Sequence, residues 1–491
     1  MKFLRVLCVL AMVFAFTASA YAETQSVKVS GDITMRGFAR DNFDLSKNDL
    51  DAADVAGGSS SQTSNWATFA QSTAEIQVEA DLTDNVSGVM RLVNQRVWGD
   101  QNYTSNGNAE LVRPSGIADM TAVQTRTGGD AYTVDMDLAY IELKEFLYSP
   151  LTLKIGRQDL WFGKGFIIGN SLMDPEGALY APEYTAINSF DAVRATLDYD
   201  PWTIDVVYAK ISENLYRGDD DKNLMGLNVG YVFDQYNAEA EAYYWYKQDR
   251  NPVSATTTNT ASIRTVENHI NGDVHTLGMR GSFDPIEDWT VALEGAYQAG
   301  QFLGIAQQRS DRDRQAWAID AMIECRYWQD DFAWKPVVSA EYIWYSGGRE
   351  TGDRTTNTDS TYTGWDSMYR GKFDTAIREF QNVFYATRQA STPSYTNQHQ
   401  ILLKGTVEPT DSLTFTATYG NFWLDRVYQT AGPNENNKKY VGAEVDLELT
   451  WDYTEDVSFG LLTGWFFPGD HFGSNSDDIA SNLVGTVKLS F

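Results

Sequence analysis

The sequence predicts an all-β fold, a transmembrane antiparallel β-barrel of about 18 strands with short periplasmic turns and long extracellular loops. Three observations carry this. Apolar and polar residues alternate with period two through one segment after another. Very short and long connections join these segments in strict alternation. The chain stops on Phe491, at the end of a row in which Leu483, Gly485, Val487 and Leu489 alternate with Thr486, Lys488 and Ser490. Such a strand suits a sheet lying between lipid and water. Lipid tolerates no open sheet edge, so the last strand needs the first as its partner.

Taken in order, the N-terminus MKFLRVLCVLAMVFAFTASAYA places Lys2 and Arg5 before an apolar stretch from Val6 to Phe16 and small residues ending Ala20-Tyr21-Ala22. The stretch is too short for a bilayer of about 30 Å, so residues 1–22 read as a cleaved secretory signal, leaving one barrel domain over 23–491. The first strand alternates Val27, Val29, Ile33 and Met35 with Lys28, Ser30, Asp32, Thr34 and Arg36. Two strands follow about the turn Thr83-Asp84-Asn85, where Ala74, Ile76, Val78 and Ala80 oppose Glu75, Gln77, Glu79 and Asp81. The unit then recurs as pairs of strands of about 10 to 13 residues. Short turns fall near Tyr148-Ser149-Pro150, Asp200-Pro201, Asp234-Gln235, Asp284 to Asp288, Gln329 to Asp331, Pro409 to Asp411 and Tyr453 to Glu455. Eight hairpins plus the lone first and last strands give the even count of a single-chain barrel. Aromatics crowd the same turns: Tyr199 and Trp202, Phe233, Phe283 and Trp289, Trp334, Trp451 and Tyr453, as a girdle at one membrane interface requires. A soluble sandwich also alternates, but it needs a second sheet's worth of buried apolar runs that the sequence lacks.

Composition narrows the function. Against 67 acidic residues stand 38 lysines and arginines, a net charge of -29 that repels nucleic acid. Of the two cysteines, Cys8 lies in the signal, so Cys325 has no intrachain partner and packs as a small apolar residue. The four histidines, His269, His275, His399 and His471, share no H-x-x-x-H spacing, and no G-x-S-x-G is present. No catalytic residue, cofactor or metal ligand is expected. The acidic runs Asp41 to Asp54 and Asp219 to Lys222 lack the spacing of a calcium loop and read as solvated.

Several phrases resemble the alginate-export family of outer-membrane porins. They are LAYIELK (Leu138 to Lys144), LKIGRQDLWFGKG (Leu153 to Gly165), FDAVRATLDY (Phe190 to Tyr199), HTLGMRGSF (His275 to Phe283), VALEGAYQAG (Val291 to Gly300), KPVVSAEYIWYSG (Lys335 to Gly347), YVGAEVDLEL (Tyr440 to Leu449) and GWFFPGD (Gly464 to Asp470). The resemblance implies an 18-stranded barrel passing a polyanionic polysaccharide or other solutes. It also implies that Arg157, Asp191, Arg194, Arg280, Glu294, Glu444 and Asp446 point into the pore. Gln158 stands where members often carry glutamate.

A pore for a polyanion should be lined with cations. Strict alternation instead places basic Arg36, Arg91, Lys154, Arg194, Arg280 and Lys404 inside with a larger set of acids, among them Glu294, Glu341, Glu444 and Asp446, in a ratio of about one to two. Some acids pair with arginines on neighbouring strands, and the remaining excess favours cations or neutral solutes. The longest connection, from Gly348 to about Thr396, carries Phe373, Ile377, Phe380 and Phe384 at helical spacing, either a helix folded into the mouth or a cap on its rim. The loop from Lys164 to Asn188 is a second candidate constriction.

The expected function is a passive outer-membrane channel for hydrophilic solutes, with oligosaccharide or polysaccharide export as the family's version of it. The alternative is a structural surface protein with a closed pore. Expected partners are outer-membrane lipid and lipopolysaccharide, the barrel-assembly machinery, which a terminal phenylalanine addresses, and a hydrophilic solute or saccharide. The expected location is the outer membrane of a Gram-negative-type bacterium.

Overall fold

The computed structural model describes residues 26–43, 45, 66–99, 134–170, 179–213, 221–234, 237–249, 272–303, 311–328, 331–348, 361–384, 395–427, 438–472 and 478–491. The signal, most of the run from Asp41 to Asp54 and half of that from Asp219 to Lys222 lie outside these residues. Eighteen strands form the wall: β1 (Ser26–Asp41), β2 (Trp66–Thr83), β3 (Val86–Val97), β4 (Asp135–Leu143), β5 (Leu151–Gln158), β6 (Phe190–Tyr199), β7 (Trp202–Ser212), β8 (Lys222–Phe233), β9 (Ala238–Asp249), β10 (Val274–Ile286), β11 (Trp289–Leu303), β12 (Asp311–Cys325), β13 (Val337–Tyr345), β14 (Gln398–Thr410), β15 (Leu413–Leu424), β16 (Tyr440–Asp452), β17 (Val457–Pro468) and β18 (Ala480–Ser490). Each pairs antiparallel with its sequence neighbours, and β1 pairs with β18. Asp32 lies opposite Ser490, and Gly31 and Phe491 exchange two main-chain hydrogen bonds of 2.9 Å. The final phenylalanine thus closes the ring and leaves no ladder open to lipid.

All eight predicted hairpins are present. Asp200-Pro201, Glu287-Asp288 and Asp411-Ser412 are two-residue turns, whereas β12 and β13 are joined by residues 326–336. Strand lengths run from 8 residues in β5 to 18 in β2, a wider spread than the alternation alone suggests. Around the short-turn end Tyr199, Trp202, Phe233, Phe283, Trp334, Trp451 and Tyr453 are exposed, the belt read from the sequence.

The wall alternates by residue. Outward positions are greasy and exposed, as with Val27, Val29, Ile33 and Met35 of β1, while Thr34, Phe38 and Arg40 on the alternate phase are buried. The main buried cluster lies inside the ring. Wall residues Phe190, Val207, Trp245, Ile343, Tyr345 and Phe422 pack there against Leu160, Phe162, Phe166, Ile168, Trp365, Met368 and Ile377, which belong to connections and not to strands. Two long connections have folded into the barrel, and they define the site.

Candidate pore and its inward-folded loops

The first inward segment follows β5, over residues 159–170 and 179–189; the second runs from 361 to 384 between β13 and β14 and ends in a short helix, α1 (Arg378–Phe384). They clasp each other across the lumen through their backbones. Gly169 donates to the Tyr369 carbonyl at 2.8 Å, Tyr369 to Ile167 at 3.0 Å and Gly371 to Gly165 at 2.9 Å. Contact this close requires small residues: a Cβ on Gly169 would lie 2.9 Å from the Gly371 Cα.

The wall then holds the clasp with side chains. Lys247 on β9 donates to both Asp366 oxygens, at 2.9 and 3.1 Å. Gln298 on β11 donates to the Asp366 carbonyl and accepts from its N–H, both at 2.8 Å. Arg314 on β12 donates to the Gly364 carbonyl at 2.6 Å. Burial opposes ionisation of Asp366, but Lys247 and Arg314 outweigh it and hold the carboxyl down at about 2. Farther along, Lys372 donates to Glu341 on β13 at 2.5 Å. The first turn of α1 is met by β16: Glu444 accepts from Ile377 at 2.6 Å and Arg378 at 2.8 Å, and Asp446 from Ala376 at 3.1 Å. Carboxylates from the wall thereby satisfy N–H groups that a helix start leaves orphaned. Of the two options for the Phe373 to Phe384 pattern, the structure adopts the helix inside the mouth, with Ile377 and Phe380 buried.

The candidate pore residues divide into three groups. Arg36, Arg91, Lys154, Arg194, Arg280 and Lys404 sit on the inward phase. Arg91 pairs with Asp137, Arg280 with Glu239 and Glu241, Arg194 with Asp205 at 2.8 Å and Lys154 with Glu142 at 3.3 Å. The Arg36 guanidinium lies 4.8 Å from the Tyr184 ring centroid. Glu294, Glu341, Glu444 and Asp446 also face inward, yet each is engaged, Glu294 by the Tyr243 hydroxyl at 2.8 Å and the others by the loop as described. Arg157 and Asp191 do not match the expectation that they enter the pore. They oppose each other on β5 and β6, two residues beyond Ile155 and two before Val193, and share the outward phase of those exposed side chains. Asp191 is 64% exposed, whereas its inward neighbours Phe190 and Ala192 are buried. Period two forces this, because a residue two steps from a lipid-facing one lies on the same face.

The loops also exchange charge with the wall in both senses: Lys372 pairs with Glu341 on β13, while the loop acids Asp366 and Glu183 meet the wall cations Lys247 on β9 and Arg40 on β1. Among the described residues a cavity of about 280 Å³ remains between the second loop and the β13–β17 wall, bordered by Tyr184, Phe373, Lys404, Thr418 and Glu448. Sequence reasoning did not single out Arg370 or Lys372. Arg370 joins Asp374 at 2.6 Å and Glu379 at 3.1 Å and braces the loop internally.

A family profile described as alginate export matches residues 19–486. No curated protein sequence matches the chain significantly. Solved structures match its fold: OccAB4 of Acinetobacter baumannii at 9% identity and TM-score 0.54, covering 96% of this chain and 100% of that one. A BenF-like porin from Pseudomonas fluorescens Pf-5 matches at 10% and 0.53, covering 95% and 100%. OccK2 (OpdF) of Pseudomonas aeruginosa, solved in complex with glucuronate, matches at 11% and 0.52, covering 95% and 99%.

Proposed function

This chain belongs to the alginate export family, and from that premise we propose that it is a passive outer-membrane channel for small hydrophilic solutes, gated in width by its two clasped loops. The observation that carries the reading is the clasp itself: main-chain bonds between residues 165–170 and 369–371 join two connections inside a polar-walled ring, with a cavity beside them. A wall built to be lined by water, narrowed by a braced loop, suits selection by size and by local charge. A long polysaccharide would have to displace the loops, so small solutes or oligosaccharides fit this geometry better than a polymer in transit. The long-loop end faces outward in this reading, with residues 1–22 acting as the export signal.

Planar-bilayer recording tests it. Stable open steps from purified, heat-modifiable protein support the channel, and liposome swelling with neutral, anionic and cationic sugars ranks the solutes. A second reading, a closed barrel acting as a surface scaffold, draws on the apolar contacts that fill the long-loop half, such as Phe162 against Trp245 at 4.8 Å and Phe166 stacked on Tyr345. Electrical silence from well-folded protein would favour that scaffold.

A further inference from the structure

Several wall charges are neutralised in contact, as Arg194 is by Asp205 at 2.8 Å. The cavity beside the second loop holds two of opposite sign that are not. Lys404 on β14 and Glu448 on β16 both border it, both are exposed to it, and neither has an ion-pair partner among the described residues. Lys404 lies opposite Thr418 and Glu448 opposite Thr416, so β15 separates the two charges by two strand spacings, roughly 10 Å across the sheet. Threonines are too short to bridge them. Next to Glu448 on the same face, Asp446 is only 6% exposed, with one oxygen accepting from Ala376 at 3.1 Å and the other enclosed over Gly464, so Glu448 is the acid of this pair that the cavity reaches. Tyr184 and Phe373 supply aromatic lining, and the other acids that border the space are already paired, Glu183 with Arg40, Glu341 with Lys372, and Asp374 with Arg370 and Lys372.

We infer that this cavity is a binding site for a small zwitterion, an amino acid or short peptide, whose ammonium is received by Glu448 and whose carboxylate is received by Lys404. The inference rests on the channel reading and gives it a solute class. A neutral sugar has no need of two opposite charges kept apart, and a simple anion or cation leaves one of them uncompensated. A cavity of about 280 Å³ accommodates a molecule of that size.

Block of single-channel current by β-alanine, β-alaninamide and propionate tests the site in the full-length barrel, with calorimetry on the detergent-solubilised protein alongside. The native protein should favour β-alanine over both analogues by about tenfold. K404Q should bind β-alanine no better than the amide, E448Q no better than propionate, and the swap K404E/E448K should restore the preference to within about threefold of native. Heat-modifiable mobility establishes that each variant is folded. Unchanged preference in both single variants, or a response to Lys404 alone, overturns the site. Open pores without β-alanine block sink the site and spare the channel, whereas calorimetric binding by an electrically silent barrel does the reverse.

Discussion

Replacing Glu444 with glutamine asks whether wall carboxylates keep the second loop docked. The native oxygens accept from Ile377 at 2.6 Å and from Arg378 at 2.8 Å, and Glu444 itself is fully buried. Glutamine keeps one acceptor oxygen but sets an amide donor against the other N–H. One buried N–H then loses its partner, at about 1–3 kcal/mol, and the surviving bond loses a charged acceptor worth about 1 kcal/mol more than a neutral one. Removing a desolvated carboxylate returns part of this. The balance is about 2 kcal/mol, a roughly 30-fold rise in the undocked population. Trypsin reads that population, because Arg378 is 3% exposed while the loop is docked. If opening and reclosing are fast against cleavage, the cleavage rate at Arg378 should rise by roughly the same 30-fold. Native-rate cleavage in an E444Q barrel that still shows heat-modifiable mobility would refute the anchoring role.

Other consequences follow from the same geometry. R157Q and D191N should leave the reversal potential in a salt gradient where it was, while R194Q should move it toward cation preference by uncovering Asp205; a shift from the first two would mean their strand phase is misread. Asp366 offers a pH test: its carboxyl is held at about 2 in the docked loop, against about 3.9 when released, so its contribution is complete above pH 4 and is lost as pH falls through about 2. Trypsin being inactive there, pepsin cleavage within 361–384 should accelerate across that window in the native protein and show no such step in D366N. G371A places a Cβ 2.6 Å from the Gly169 carbonyl carbon and 2.6 Å from the Trp161 ring, and overpacking of that kind costs about 1–3 kcal/mol. The clasp should part, raising trypsin cleavage at Arg378 by about one order of magnitude; cleavage at the native rate would show that the contact yields without parting.

The wall was legible because its cause is local. Each outward Val, Ile, Leu or aromatic and each inward polar residue states its side by parity, so strand number, hairpin positions and the pairing of Phe491 with β1 follow from counting. The same parity contradicts the resemblance at Arg157 and Asp191: Leu153, Ile155 and Arg157 fall on one phase, as do Asp191, Val193 and Ala195. The alternation was the better guide there, because a motif names residue types and parity fixes their direction. The loops were not legible in this way. Their positions depend on contacts between residues far apart in sequence, such as Ile377 with Glu444, which are 67 apart, and no short-range pattern encodes such a meeting. A signal did exist in retrospect: Glu444 and Asp446 stand side by side on an inward face without an opposing cation on β15 or β17, and buried acids so placed require donors from elsewhere.

That requirement bears on ion selectivity. Taken alone, the wall predicts a cation-preferring pore, since acids exceed bases on its inner face. The docked loop cancels part of this by setting Lys372 on Glu341 and main-chain N–H groups on Glu444 and Asp446. Selectivity is therefore a property of the wall and loop together, and deleting residues 361–384 should expose it. Three carboxylates lose their partners at once against one cation, Lys247, freed from Asp366, and at low salt, where the screening length reaches about 30 Å at 0.01 M, the field of the acidic excess spans the lumen. The reversal potential should move strongly toward cations, and the shift should shrink as salt is raised. A widened pore whose selectivity stays at the native value would mean that those carboxylates are neutralised by something other than the loop, and the account of what the clasp does to the lumen would fail.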